Sequence, residues 1–129
     1  MAGYVNIVME PPGPRAREVM EQDRRYVATS TKTSPVVAES AAGGVVRDVD
    51  GNDLMDFASG IAVLNVGHGH PRVVKAVQEQ AERLFHFAGT DFYYAAQVDL
   101  ARRLASTVPG ESDKKVFLSN SGTESIEAA

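Results

Sequence analysis

Apolar residues recur at helical spacing in two long stretches of the chain. The first stretch begins at Pro71, since proline is favoured at the first position of a helix, and its apolar face comprises Val73, Val74, Val77, Ala81, Leu84 and Phe85. The second runs from about Tyr94 to Thr107 and is ended by Pro109-Gly110. Charged and apolar residues alternate over residues 15–27, which predicts a shorter surface helix.

Short apolar and β-branched runs predict strands elsewhere. Val36-Val37 and residues 45–49 are two such runs, and Asp50-Gly51 is a turn signal before a third run at 54–57. The second and third runs are therefore expected to form a hairpin. Residues 115–119 form another apolar run bounded by turn residues, which predicts a buried strand. The order of helix, strand, loop and helix at this end is typical of an α/β fold.

Proline and loop residues divide the chain into three parts. The cluster at residues 11–14 (PPGP) forbids a helix, so residues 1–14 are expected to be a flexible arm. Residues 15–70 are expected to hold the first helix and the hairpin, and residues 71–129 to begin a larger α/β domain. The last residues favour a helix that no Gly, Asn or basic residue closes, so we expect this domain to be truncated.

Composition and charge exclude several classes of function. The chain has 129 residues, 43% of them hydrophobic and 23% charged, which is typical of a globular domain. Its net charge of −4 and scattered basic residues argue against a nucleic-acid partner. The absence of cysteine excludes disulfides and thiolate metal sites. Neither a signal peptide nor a membrane-spanning run is recognisable, so no membrane partner and a cytoplasmic location are expected.

The loop at residues 119–124 (SNSGTE) lies between the predicted strand and the last helix. The first N–H groups of a helix are unpaired and lie at the positive end of its dipole, so they can bind a phosphate. Gly122 lets the backbone approach an anion, and the hydroxyls of Ser121 and Thr123 can donate hydrogen bonds. Ser121 and Glu124 also have the spacing of a capping box, which would satisfy N–H groups internally. The spacing leaves both interpretations open.

Other groups of side chains have a functional and a structural interpretation. His68, His70 and His86 offer too few close ligands for zinc, which favours hydrogen bonding near the start of the helix at Pro71. The aspartates between residues 48 and 56 lack the order of an EF-hand, which favours a solvated hairpin. The aromatic residues at 92–94 (FYY) could stack on a cofactor, but such residues before a helix are more often core.

Three motifs, in their order and spacing, resemble one family. Residues 43–57 (GGVVRDVDGNDLMDF) are similar to a strand pair of class III aminotransferases, and residues 59–71 (SGIAVLNVGHGHP) are similar to the segment that follows it in that family. Residues 116–129 (VFLSNSGTESIEAA) resemble the family's phosphate loop. The resemblance covers residues 27–129. Within it, the sequence GIAVLN at residues 60–65 is more similar to 4-aminobutyrate aminotransferases than to the acetylornithine and ornithine types.

The resemblance implies a fold, a cofactor and a reaction. The fold is the α/β arrangement of fold-type I transferases, the cofactor is pyridoxal 5′-phosphate (PLP), and the complete enzyme is a homodimer. Ser121, Gly122 and Thr123 would hold the cofactor phosphate, and Ile61 would lie beside the substrate. The implied reaction moves an amino group from an ω-amino acid, 4-aminobutyrate first, to a 2-oxo acid. Acetylornithine or ornithine is the alternative donor.

The resemblance places no catalytic residue within this chain. The Schiff-base lysine, the acidic partner of the pyridinium nitrogen and the carboxylate-binding arginine lie downstream of the family's phosphate loop. Lys32, Lys75, Lys114 and Lys115 match no motif and are expected on the surface, so the 129 residues are expected to catalyse nothing alone. A non-catalytic α/β module that binds a phosphorylated ligand or a partner protein is the second interpretation.

Uncovered apolar surface is also expected. A sheet that is interrupted after one central strand leaves an open edge and leaves helix residues such as Val73, Val77 and Leu84 without packing partners. The isolated chain is therefore expected to be marginally ordered.

Overall fold

A computed structural model describes residues 5–28, 32–110 and 113–129. The chain separates into an amino-terminal unit, Met1–Arg83, and a carboxy-terminal unit, Leu84–Ala129. The amino-terminal unit holds a three-stranded sheet and three helices, and the carboxy-terminal unit holds two helices among its described residues. This mixture of helix and strand is consistent with the expected α/β fold class.

The sheet is antiparallel in the order β1 (Ala38–Ala42), β2 (Val45–Asp48) and β3 (Asp53–Met55). The hairpin between β2 and β3 is confirmed, and Gly51 adopts the positive φ of 91° that its turn requires. The strand predicted at Val36-Val37 is wrong. The turn at residues 43–44 pairs Ala42 with Val45, and this register pairs residues 38–42 with β2. Strand β1 therefore consists of small and polar residues instead of the two valines.

Helix α1 (Pro14–Tyr26) begins one residue before the predicted start. Asp50, in the β2–β3 turn, caps it: its carboxylate oxygens accept the N–H groups of Arg15 and Ala16 at 2.9 and 3.0 Å. Two arginines in the last turn suit the negative end of the helix dipole. Ala16 is buried, and within the described residues it is the only buried hydrophobic side chain.

The segment before α1 is joined to the hairpin by Asn52. The side-chain oxygen of this fully buried residue accepts the N–H groups of Val8 and Met9 at 2.7 and 3.0 Å, and its NH₂ donates to Asp48 at 2.7 Å. Asp48 is only 1% exposed, so the expectation of a solvated aspartate cluster is wrong for this residue. Burial is tolerated because the carboxylate receives several hydrogen bonds.

A loop leads from β3 through the short helical segment α2 (Ser59–Ala62) to α3 (Pro71–Arg83). Helix α3 begins at Pro71 as predicted. Its apolar residues Val73 and Val77 are 50% and 63% exposed, which agrees with the expected uncovered helix face.

The carboxy-terminal unit contains α4 (Ala95–Thr107) and α5 (Gly122–Ala128), close to the predicted positions. The buried strand predicted at 115–119 is wrong: residues 113–119 form no strand, and Phe117 is 73% exposed. A strand needs a neighbour to pair its backbone groups, and the described residues of this unit include no other strand. The core position expected for the aromatic residues at 92–94 is wrong for Phe92 and Tyr93, which are 51% and 98% exposed.

No helix in the described ranges combines the length and the apolar character needed to cross a membrane.

Candidate functional site

Helix α5 begins at the loop that the family resemblance assigns to phosphate binding. Ser121 is its N-cap, in an extended conformation, and its hydroxyl accepts the N–H of Glu124 at 3.2 Å. The Glu124 carboxylate accepts the N–H of Asn120 at 2.7 Å. This is a variant of the capping box, in which the Glu124 carboxylate accepts the N–H of the residue before the N-cap instead of the N–H of the N-cap itself. The structural interpretation of the spacing is therefore realised in the fold.

The cap leaves groups that can bind a phosphate. The N–H groups of Gly122 and Thr123 have no hydrogen-bond partner among the residues that the structure describes. The Ser121 hydroxyl accepts one hydrogen bond and keeps its own O–H to donate. Apart from the chain neighbours of Gly122 and the helix's own backbone, no atom of the residues that the structure describes lies within 4 Å of the position that a Cβ would take there. Capping and phosphate binding are thus compatible at this helix start.

Ser119 and Ser125 brace the loop, a role that the sequence did not indicate. Their hydroxyls are 2.6 Å apart, and both lie within hydrogen-bond distance of the Ser121 carbonyl oxygen, at 3.1 and 3.0 Å. These hydrogen bonds hold the turn at the start of α5.

Ile61 lies in a left-handed helical turn. Residues 59–62 (SGIA) all have positive φ, between 48° and 67°, and the N–H of Val63 donates to the carbonyl of Ser59 at 2.9 Å. Left-handed helical backbone costs roughly 1–2 kcal/mol per L-residue, and a β-branched residue is a marked outlier there. The side chain of Ile61 is 90% exposed. No signal in the sequence predicts this conformation, because only Gly60 in the turn favours it.

Asp56 holds the base of this turn. One carboxylate oxygen accepts the N–H groups of Ala58 and Ser59, both at 2.8 Å, and the other lies 2.6 Å from Nε2 of His68. The hydrogen bond with His68 and those from the two N–H groups keep the pKa of Asp56 below its usual range. His68 is also joined to Gly43 by two backbone hydrogen bonds of 2.8 and 2.9 Å.

The histidines differ in part from their predicted roles. His68 was expected to form hydrogen bonds near the start of α3, but its ring contacts Asp56 instead. His70 serves that helix start through its backbone only: its carbonyl accepts the N–H groups of Val73 and Val74 at 2.9 and 3.0 Å, whereas its buried ring Nδ1 has no hydrogen-bond partner among the described residues. In the described part of the chain, no three His, Asp or Glu residues are grouped closely enough to hold a metal ion.

The lysines with observed partners form surface contacts. Lys75 is paired with Glu79 on the exposed side of α3 at 3.6 Å, and Lys32 is paired with Asp23 of α1. Lys114 donates to the carbonyl of Gly110. These contacts agree with the expected surface roles.

Comparison with known proteins identifies the family. The sequence profile "Aminotransferase class-III" matches residues 26–129. An acetylornithine aminotransferase from Methanosarcina acetivorans is 44% identical over 124 residues, which is 95% of this chain and 30% of that protein. A 4-aminobutyrate aminotransferase from Mycobacterium bovis is 40% identical over 126 residues, 95% of this chain and 28% of that protein. The chain therefore spans less than a third of the length of these relatives.

The fold agrees with the sequence comparison. The crystal structure of acetylornithine aminotransferase from Elizabethkingia anophelis is 30% identical and superimposes with a TM-score of 0.77. The superposition covers 88% of this chain and 28% of that one. The expected relationship to fold-type I transferases is thereby confirmed.

The cofactor of this family is PLP. The start of α5 fits its phosphate group, since it combines two N–H groups without a partner among the described residues, the hydroxyls of Ser121 and Thr123, and open space beside Gly122. The three motifs, the sequence profile and the fold agree: this chain belongs to the class III family of PLP-dependent aminotransferases.

Proposed function

We propose that this chain supplies the phosphate-binding loop of an enzyme that transfers the amino group of an ω-amino acid to a 2-oxo acid. The observation that carries the proposal is the start of α5, where the N–H groups of Gly122 and Thr123 have no partner in the described part of the chain and follow the Ser121 N-cap. A phosphate dianion accepts hydrogen bonds from such groups and is stabilised by the helix dipole. When bound, PLP supplies the electron sink that amino-group transfer requires.

Ile61 supports the choice of substrate class. Its side chain is exposed on a turn whose backbone is strained, and such strain clusters at functional sites. An apolar β-branched side chain suits the methylene chain of an ω-amino acid, because each buried CH₂ contributes about 0.8 kcal/mol. We therefore place Ile61 beside the amino donor and take 4-aminobutyrate as the first donor.

N-acetylornithine is the second candidate donor. The relative with 44% identity is named for that substrate, whereas the 4-aminobutyrate aminotransferase is 40% identical. Both donors carry a terminal amine on an aliphatic chain, so the same apolar contact serves either. The similarity of the segment containing GIAVLN to 4-aminobutyrate enzymes favours the shorter donor.

We further propose that the lysine that attaches PLP lies outside these 129 residues and that the active enzyme is a homodimer. Three of the four lysines have surface partners, at Asp23, Glu79 and Gly110. Borohydride treatment of the 129-residue chain with PLP is expected to label no single lysine. Stoichiometric labelling of one of the four would contradict this assignment.

Steady-state kinetics of the active enzyme containing this chain tests the function. With a 2-oxo acid acceptor, we expect 4-aminobutyrate to lose its amino group and become the corresponding aldehyde, and we expect its kcat/KM to exceed that of N-acetylornithine. The reverse order of kcat/KM would favour the second donor. Turnover of neither donor in a PLP-loaded enzyme would contradict the proposed function.

A further inference from the structure

The loop that carries Ile61 is closed at its base, where each end is hydrogen-bonded to the β1–β2 turn and the two ends contact each other. The N–H of Asp56 donates to the carbonyl of Gly44 at 2.9 Å, and the backbone of His68 pairs in both directions with Gly43. The side chains of Asp56 and His68 then meet at 2.6 Å. Residues 57–67 therefore leave and return at one point beside the β1–β2 turn.

Backbone hydrogen bonds inside the loop, such as that from the N–H of Val63 to the carbonyl of Ser59, support its conformation, but side-chain burial does not. Phe57, Ile61 and Val63 are 88%, 90% and 73% exposed, so burial of these side chains does not offset the strain of the left-handed turn. Strained backbone persists only when the surrounding contacts determine it. The side-chain contacts that add to the turn's own backbone hydrogen bonds come from outside the turn and converge on one carboxylate.

Both oxygens of that carboxylate are used. Oδ1 accepts the N–H groups of Ala58 and Ser59, which fixes the first peptide planes of the turn, and Oδ2 is held by His68. Asp56 and His68 are 11% and 22% exposed in their side chains, so water competes weakly for the contact. Hydrogen bonds to a charged acceptor are stronger than those between neutral groups.

We propose that Asp56 and His68 are positioning residues, which hold the left-handed turn so that Ile61 is presented to the amino donor. The inference rests on the proposed function, in which Ile61 contacts that donor. Neither residue is required to touch substrate or cofactor; each acts through the loop. The contact between them links the end of β3 to the segment just before α3.

A double-mutant cycle in the active enzyme tests the inference. Ile61→Ala is expected to change the ratio of kcat/KM between 4-aminobutyrate and N-acetylornithine by about tenfold, the range for lost methylene contacts. Asp56→Asn keeps an oxygen for the two N–H groups but replaces the charged acceptor opposite His68 with a neutral NH₂ group, which removes the charge-assisted hydrogen bond. It should change the ratio several-fold in the same direction, and the double variant should be no worse than Ile61→Ala alone.

Exchange of backbone amide hydrogens provides a second readout in the same enzyme. Asp56→Asn and His68→Ala should each speed exchange in residues 57–67 by about tenfold, as expected for the loss of a hydrogen bond to a charged group. His68→Gln, whose amide can donate to Asp56, should restore slow exchange and the donor ratio. Asp99→Ala, which removes an exposed carboxylate on α4, is the matched control and should change neither.

The outcomes separate the inference from the proposed function. Failure of the proposed function appears in the wild-type enzyme, as absence of turnover with both donors. If the wild type is active but Asp56→Asn leaves the donor ratio and the exchange of residues 57–67 unchanged, the positioning role is overturned. An equal loss for both donors, additive with Ile61→Ala, would also overturn it, because it would indicate general destabilisation.

Discussion

At the scale of single residues, the least predictable feature is the buried polar pair of Asp48 and Asn52. The sequence identifies the turn at Asp50-Gly51, because Asp-Gly favours tight hairpins. It does not show that Asn52 reaches back more than forty positions to the N–H groups of Val8 and Met9. Such contacts depend on how the preceding segment passes the hairpin, which local spacing does not encode.

Stability at low pH follows from the carboxylate of Asp48. Burial alone would raise its pKa, but hydrogen bonds from the Asn52 side chain and from the N–H groups of Asn52, Asp50 and Gly51 together lower it. A carboxylate whose pKa is lowered by folding stabilises the fold fully above its unfolded pKa of about 3.9. This stabilisation is lost as the pH falls through the folded pKa.

We therefore expect the free energy of unfolding to fall as pH drops below about 4, near the unfolded pKa of aspartate. Asp48→Asn, which cannot titrate, should be less stable at pH 6 and should lose less stability on acidification. Urea unfolding of both proteins between pH 6 and pH 3 measures the two slopes. Parallel slopes would refute the role of this carboxylate.

At the scale of elements, helices in which apolar residues recur at helical spacing over many residues could be predicted, and strands could be predicted less well. Helices α3 and α4 follow from periodic apolar residues and from the prolines that bound them. The run at 115–119 has the composition of a strand, but pairing needs a second strand, which the described residues of its unit lack. Of the candidate site, the loop of Ser121, Gly122 and Thr123 at the start of α5 could be located from the sequence, and its binding of phosphate stays a prediction. The Asp56–His68 contact could not, since it joins residues twelve positions apart.

The left-handed turn predicts that replacing alanine with glycine changes the stability in opposite directions at two positions. Ala62 has a φ of 60°, and replacing it with glycine relieves the strain of this conformation. Because glycine loses more conformational entropy on folding, the net stabilisation expected for Ala62→Gly is about 1 kcal/mol. Ala76→Gly, in the middle of α3, should destabilise it by about 1 kcal/mol. Urea unfolding midpoints of the two variants measure the difference. Destabilisation of similar size in both would show that residues 59–62 are not left-handed in solution.

At the scale of the whole molecule, uncovered apolar surface dominates. Ala16 is the one buried hydrophobic residue among those described, while Val77, Phe85 and Ile126 are 63%, 90% and 80% exposed. Apolar burial is the main favourable term in folding. These 129 residues alone therefore lack much of the stabilisation that a domain of this length normally has.

Amide exchange of the isolated chain tests this view. We expect the amides of the hairpin formed by β2 and β3 to exchange more slowly than those of α4 and α5. In all of them the free energy of protection should fall short of the 5–15 kcal/mol that is typical of native domains, which at this length bury roughly two-thirds of the surface of the unfolded chain. Exchange measured by mass spectrometry on the monomer gives both quantities. Uniform protection at the level of global unfolding across residues 71–129 would contradict the prediction.

The central claim is that the start of α5 receives the phosphate of PLP, and the affinity of the active enzyme for PLP and for pyridoxal, which lacks the phosphate, tests it most directly. Because no atom crowds Gly122 apart from its own chain neighbours and helix backbone, Gly122→Val should leave the fold intact while placing a side chain beside the N–H groups. We expect PLP to bind at least about tenfold more weakly, the loss of roughly one charge-assisted hydrogen bond, with pyridoxal binding unchanged. The matched variant Gly44→Val, at another uncrowded glycine, should alter neither affinity. An unchanged preference for PLP over pyridoxal in Gly122→Val would contradict the account.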